Sequence, residues 1–253
     1  LYLTYRHYPV DDPKVTGAYG EWKDYNAYSD FISSEGVPVF YARVDHVSVP
    51  LAKEGTGQVV VDFTPEPLTQ DVSFVFHIEK TADVVVDSLT AEISGIPSTM
   101  ELTTGLILAQ KTYKLLFRPT YAALPSAADS ASAEALRCEA SVNIPGIVRS
   151  HTEDMVTGPG ILQIAIYTHY DYEEEGTQRK AAKVFHAGIN LYHTLKERKS
   201  LQWDEEENGY RQARRSITVE IGSPLNIDKD GILNGGSTST GLDQWIPGET
   251  FEI

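Results

Sequence analysis

One cysteine, Cys138, stands in 253 residues, so no intramolecular disulfide can form, and no repeated Cys or His spacing offers a zinc site. That poverty does not by itself assign a compartment. No run approaches the roughly 20 consecutive apolar residues that a membrane helix needs, and Leu1-Tyr2-Leu3-Thr4-Tyr5-Arg6 is not a signal peptide. Basic residues are outnumbered, 21 against 36 acidic ones, and the formal net charge is −15. A field of that sign repels phosphate backbones and anionic headgroups, which sets aside nucleic-acid and peripheral membrane binding. Helical periodicity is scarce, and no repeat of fixed period suggests a solenoid or propeller. Gly-x-Ser-x-Gly is absent, and no glycine-rich phosphate loop follows a strand and opens a helix.

What the chain does have is a series of short β-branched and aromatic runs punctuated by Gly, Pro, Asn and Asp, the pattern of an all-β sandwich. The clearest strands are expected at 39–49, 58–63, 72–79 and 84–93. In Val72-Ser73-Phe74-Val75-Phe76-His77-Ile78 the residues Val72, Phe74, Phe76 and Ile78 share one face, because strand side chains alternate. Further strands are expected at 100–108, 113–117, 137–144, 160–167, 181–195, 216–221 and 251–253, with 191–203 read as a strand end or a short helix. The small-residue stretch 122–133 reads as a surface loop, and Asp171 to Gly176 as an acidic turn. With domains of roughly 100–150 residues commonest, the length predicts two. Their boundary is placed near the Pro- and Gly-rich stretch 145–159, giving residues 1–150, with an aromatic-rich N-terminal segment, and residues 151–253.

Each candidate for chemistry has a plainer reading. Asn226-Ile227-Asp228-Lys229-Asp230-Gly231 resembles the opening of a calcium loop, but Ser237 stands where a bidentate Glu is needed, so an Asp-Gly turn is expected. Asp204, Glu205, Glu206, Glu207 and Asn208 lie beside Tyr210, Arg211, Arg214 and Arg215 and read as a salt-bridged, solvated hairpin. The seven histidines, His7, His46, His77, His151, His169, His186 and His193, show no metalloprotease spacing; His186 and His193 fall on opposite faces of a continuous strand. Gly235 to Gly241 reads as a flexible loop, and Cys138 alternates into a core. With 36 acidic residues, a chance carboxylate pair carries no weight for glycoside hydrolysis. Tyr19, Trp22, Tyr25, Tyr28 and Phe31 cluster where other apolar residues are few; they are expected to pack over the first sandwich, the alternative being a glycan-binding or protein-binding face. No catalytic, cofactor-binding or metal-binding residue is assigned.

Val84-Val85-Val86-Asp87-Ser88-Leu89-Thr90-Ala91-Glu92-Ile93-Ser94-Gly95-Ile96-Pro97-Ser98-Thr99-Met100-Glu101-Leu102 resembles the fimbrillin and fimbrial-anchor families of Bacteroidales. Those proteins carry a strand ending in Ser-Gly-Ile/Val-Pro, a short polar turn and a further strand. Gly95 suits a sharp turn there, and Pro97 stops a ladder. His186-Ala187-Gly188-Ile189-Asn190-Leu191-Tyr192 and Leu242-Asp243-Gln244-Trp245-Ile246-Pro247-Gly248 are similar in flavour. The resemblance implies two transthyretin-like β-sandwiches in tandem and a non-enzymatic pilus subunit without a cofactor. Its partners would be other pilus subunits joined by β-strand addition, and a host or bacterial surface ligand. It further implies a cell-surface, outer-membrane location with a lipid anchor upstream of Leu1, and an N-terminal strand removed by an arginine-directed protease. Arg43 is the candidate cleavage site, although it falls inside an expected strand. That placement and the short C-terminal Thr250-Phe251-Glu252-Ile253 favour an anchor, tip or accessory subunit. The alternative reading is a carbohydrate-binding surface lipoprotein.

Overall fold

The computed structural model describes residues 2–4, 7–8, 31–32, 38–48, 59–102, 107, 112–124, 133–148, 160–198, 200, 203–204, 209–210, 216–233 and 245–252. Strands come in the order β1 (Tyr2–Thr4), β2 (His7–Tyr8), β3 (Phe31–Ile32), β4 (Phe40–Tyr41), β5 (Glu66–Pro67), β6 (Gln70–Thr81), β7 (Val84–Pro97), β8 (Thr99–Glu101) and β9 (Thr112–Phe117). There follow β10 (Thr120–Ala123), β11 (Ala133–Ile144), β12 (Ile161–Glu174), β13 (Thr177–Asn190), a helix α1 (Tyr192–Glu197), β14 (Trp203–Asp204), β15 (Gly209–Tyr210), β16 (Ser216–Glu220), β17 (Leu225–Ile227) and β18 (Ile246–Glu252). The chain is all-β, as its patterning requires.

Two sheets carry the fold. A seven-stranded sheet runs β18-β13-β12-β7-β9-β3-β2, and a five-stranded sheet runs β10-β11-β6-β16, with β17 also on β6. Alternation decides which residues meet. Val72, Phe74, Phe76 and Ile78 of β6 face Val142, Ala140, Cys138 and Leu136 of β11 in register, while Asp71, Ser73 and His77 turn outward beside Asn143, Ser141 and Arg137. The inward residues meet Leu89, Ala91 and Ile93 of β7, Leu162, Ile164 and Ile166 of β12, and Phe185, Ala187 and Ile189 of β13 in one hydrophobic cluster. Phe74 stacks on Phe117 with ring centroids 5.5 Å apart. Burying one such ring contributes about 1.5–3 kcal/mol.

That shared core corrects the expected division at residue 150. Strand β7 pairs with β12 from Ile93↔Leu162 to Val84↔Tyr170, and β16 lies parallel on β6, so strands from both halves build both sheets. The two large sheets therefore share one core to which both halves of the chain contribute. Alternation along a strand says which face is buried but not which distant strand lies beside it, and that missing information produced the wrong boundary.

The Ser94-Gly95-Ile96-Pro97 motif joins the halves. A register shift against β9 between Ile93 and Ile96 places Gly95 at φ 87°, a backbone conformation that glycine adopts without strain. The strand continues through this bulge to Pro97, so Gly95 makes a bulge where a sharp turn was expected. The irregular backbone is used by the second half: Val148 N–H donates to Gly95 O, Gly160 N–H to Ser94 O, and Ile161 N–H to Ser94 Oγ. Gly160, at φ 73°, then leads into β12, and an added Cβ there would meet Leu195 Cδ1 at 2.7 Å.

Three other expectations are corrected. Of the described residues 39–48 in the first expected strand, only Phe40–Tyr41 is strand, and residues 42–48 are irregular and exposed. Residues 59–63 join no ladder at all, and Val60 and Phe63 are 71% and 59% exposed. At 122–133, β10 occupies the start of the expected loop, and 191–203 opens with α1.

Candidate interaction surface

The N-terminal part enters the larger sheet through β3. Its two residues pair in parallel with Lys114 and Leu115 of β9, and both Phe31 and Ile32 are buried. Beyond it, β4 makes a short antiparallel ladder with β5, and Leu68 N–H donates to Val39 O at its base. Arg43 follows β4 in irregular backbone, exposed and ion-paired with Asp45. Pairing of backbone amides protects a strand from a protease cleft; Arg43 has no such ladder. The same stretch carries a concentration of exposed apolar residues: Phe40, Val44, Val47, Val59, Val60 and Phe63.

The sheet edges differ. β18 ends the larger sheet with the sequence Ile246-Pro247-Gly248-Glu249-Thr250-Phe251-Glu252, and proline and charge are the usual means of blunting an edge. β10, Thr120-Tyr121-Ala122-Ala123, ends the smaller sheet with no charge, and all four residues are exposed. Leu124 N–H donates to Ala135 O, so by antiparallel alternation Ala122 and Thr120 bond to β11, while Tyr121 and Ala123 direct N–H and C=O groups away from the sheet. The Tyr121 hydroxyl reaches across the sandwich to Val86 O (2.8 Å) and Asp87 O (3.1 Å). It tethers the edge to a bulge in β7, where the register shift leaves Asp87 between Val86 and Ser88; the Asp87 carboxylate in turn meets His169 Nδ1 at 2.8 Å.

On the outward face of the larger sheet, Lys114 Nζ donates to Glu92 Oε1 and, at 3.4 Å, to Gln163 Oε1. Both charged groups are buried, and desolvation pushes the Glu92 carboxyl above its ordinary range against the opposing pull of Lys114. Lys80, also buried, pairs with Glu134 at 2.7 Å and holds that exposed carboxyl low. Such pairs fix neighbouring strands to one another; a lone buried pair of this kind is structural chemistry. Cys138 is buried as its alternation predicts, and burial pushes its thiol up to about 12, which keeps it protonated and inert as a nucleophile.

The calcium-like stretch closes as a turn. Asp228 Oδ1 accepts from Asp230 N–H and Gly231 N–H, Asp228 N–H donates to Gly231 O, and Ile227 bridges Ile232. The Asp228 carboxylate is thus engaged with its own backbone, as in an Asx turn. His186 lies in β13 and His193 in α1, so the two do not share a strand. Among the described residues, no group of three or more His, Cys, Asp and Glu is placed to hold a metal ion. Tyr19, Trp22, Tyr25, Tyr28, His151, Glu205 to Asn208, Arg211, Arg214, Arg215 and Gly235 to Gly241 lie outside the described residues. No protein-family model, no curated protein and no solved structure matches the chain.

Proposed function

We propose that the chain is a non-enzymatic, cell-surface fimbrial component, an anchor, tip or accessory subunit that assembles by β-strand addition. The observation that carries this reading is the contrast between Arg43 and β3. Arg43 is exposed in irregular backbone, and the segment before it reaches the larger sheet through a strand whose two residues are buried against β9. Cutting after Arg43 separates β3 from the rest of the chain. Its departure bares the β9 edge together with the sites of Phe31 and Ile32, an edge with unpaired backbone groups and pockets for side chains. The resemblance around Ser94-Gly95-Ile96-Pro97 points the same way.

Native mass spectrometry and electron microscopy before and after limited digestion with an arginine-specific protease test the proposal. The expected result is loss of the segment up to Arg43, followed by ordered multimers. A chain that is cut after Arg43 but keeps the fragment and forms no multimers sinks it.

A further inference from the structure

A stretch that has the chemistry of a strand and no ladder partner signals a contact outside the monomer, since natural sequences break their own local rules where function demands it. Val59-Val60-Val61-Asp62-Phe63 is such a stretch: β-branched and aromatic, in irregular backbone, with only Val61 half-buried. The same molecule carries the uncharged edge β10, whose Tyr121 and Ala123 offer outward N–H and C=O groups. We propose that residues 59–63 of one copy add as an antiparallel strand to β10 of a second copy.

The two elements fit in one register. With Phe63 opposite Tyr121 and Val61 opposite Ala123, the outward backbone groups of β10 are satisfied. Val61 and Phe63 then share the face of Tyr121 and Ala123, which pair with core-facing Cys138 and Leu136. Asp62 falls opposite Ala122, on the polar outer face that Arg137, already paired with Glu139, shares one strand further in. Small Ala123 leaves room for the larger Val61 side chain opposite it, and Phe63 lies beside the Tyr121 ring. A register shifted by one residue turns Asp62 toward the core, which disfavours it. Because the donor and the edge are different surfaces, the contact is heterologous and propagates head to tail. This contact shares the physics of strand addition with the function proposed above, but it uses another edge and requires no cleavage.

Sedimentation velocity of the full, undigested chain carrying Arg43→Lys, which removes the proposed cleavage site, tests it over a concentration series. The expected result is concentration-dependent association. Phe63→Lys blocks the donor, and Ala123→Pro blocks the edge while sparing the β11 ladder, because the Ala123 N–H points outward; each raises the apparent dissociation constant at least about tenfold. Thermal melts of the two monomers control for folding. Mixing the two blocked variants gives a 1:1 dimer that grows no further, since one intact donor and one intact edge remain. Association that survives both substitutions, a Phe63→Lys chain that still self-associates through β10, or an uncut chain that stays monomeric up to about 100 μM, a range in which even weak specific contacts populate complexes, overturns the inference. Assembly seen only after cleavage at Arg43 overturns it too, and leaves the proposed function standing.

Discussion

Residues 72–78 and 59–63 are built from the same materials, valine and phenylalanine with single polar interruptions, and they meet opposite fates. In β6, Phe74 and Phe76 are fully buried between two sheets, and the strand has neighbours on both sides. In the other stretch, Phe63 is 59% exposed and the backbone joins no ladder. Strand-forming side chains are a necessary condition; an edge to pair with and a face to cover are what complete the strand. The difference divides the described residues into a part that is finished within one chain and a part, residues 59–63, that is not.

Proteolysis draws the contrast between laddered and irregular backbone most sharply. Arg43 and Arg137 have comparably exposed side chains, at 64% and 49%, but Arg137 sits in β11 between β10 and β6. Cleavage after Arg137 requires opening that costs close to the full stability of the fold, about 5 kcal/mol or more, so cleavage after Arg43 is expected to be at least about a thousandfold faster. A mass-spectrometric time course under native conditions reads both rates. Similar rates break the comparison.

Substitution of the phenylalanines is the next test. Phe76 is fully buried and packs edge-on against Trp245, with centroids 5.7 Å apart. Phe76→Ala is expected to lose about 3–5 kcal/mol in urea unfolding, and Phe63→Ala to lie within about 0.5 kcal/mol of the parent. A large loss at Phe63 in the monomer refutes the reading that its ring is left uncovered within one chain.

Lys114 sharpens the finished side. Lys114→Met leaves the Glu92 carboxylate buried without its cation, a change expected to cost about 3–5 kcal/mol at neutral pH. The folded pKa of Glu92 already lies above its ordinary value of 4.5, with desolvation as the leading cause, and loss of Lys114 raises it further. A folded pKa above the unfolded one means that the native state binds more protons, so the variant's stability falls as pH rises from about 4.5 through the folded value and recovers in acid. Denaturation across that range checks the sign. Glu92→Leu with Lys114→Met is expected to restore most of the loss.

How much of this was legible beforehand follows from the same physics. The alternation of Val72, Phe74, Phe76 and Ile78 told which face of β6 is core, and the one cysteine was placed inward by its position between Arg137 and Glu139. Neighbours were not legible: that β12 lies beside β7, or β16 parallel beside β6, depends on pairing across long stretches of chain, and alternation is silent about it. The Ser94-Gly95 bulge was legible only as a sharp turn at Gly95, because the amides that use it come from Val148, Gly160 and Ile161. For Arg43 the sequence signal misled, since a good strand pattern surrounds it and only the absence of a partner strand exposes it.

The smallest effect concerns how the finished part is closed. β12 and β13 pair without interruption from Ile161↔Asn190 to Glu174↔Thr177, and the hairpin turns through Glu175 at φ 51° and Gly176 at φ 75°. Positive φ at both positions matches the twist of the flanking strands, but glutamate reaches it against the clash of its Cβ, which asparagine tolerates better. Glu175→Asn is therefore expected to stabilise by about 0.5–1 kcal/mol, read as a rise in the urea midpoint at unchanged slope. An unchanged midpoint means that the fourteen-residue strands set the hairpin register by themselves, with the turn only following. The turn lies in the part that is complete within one chain, so the gain is expected equally in the Phe63→Lys and Ala123→Pro backgrounds, because distant independent sites add within about 0.5 kcal/mol.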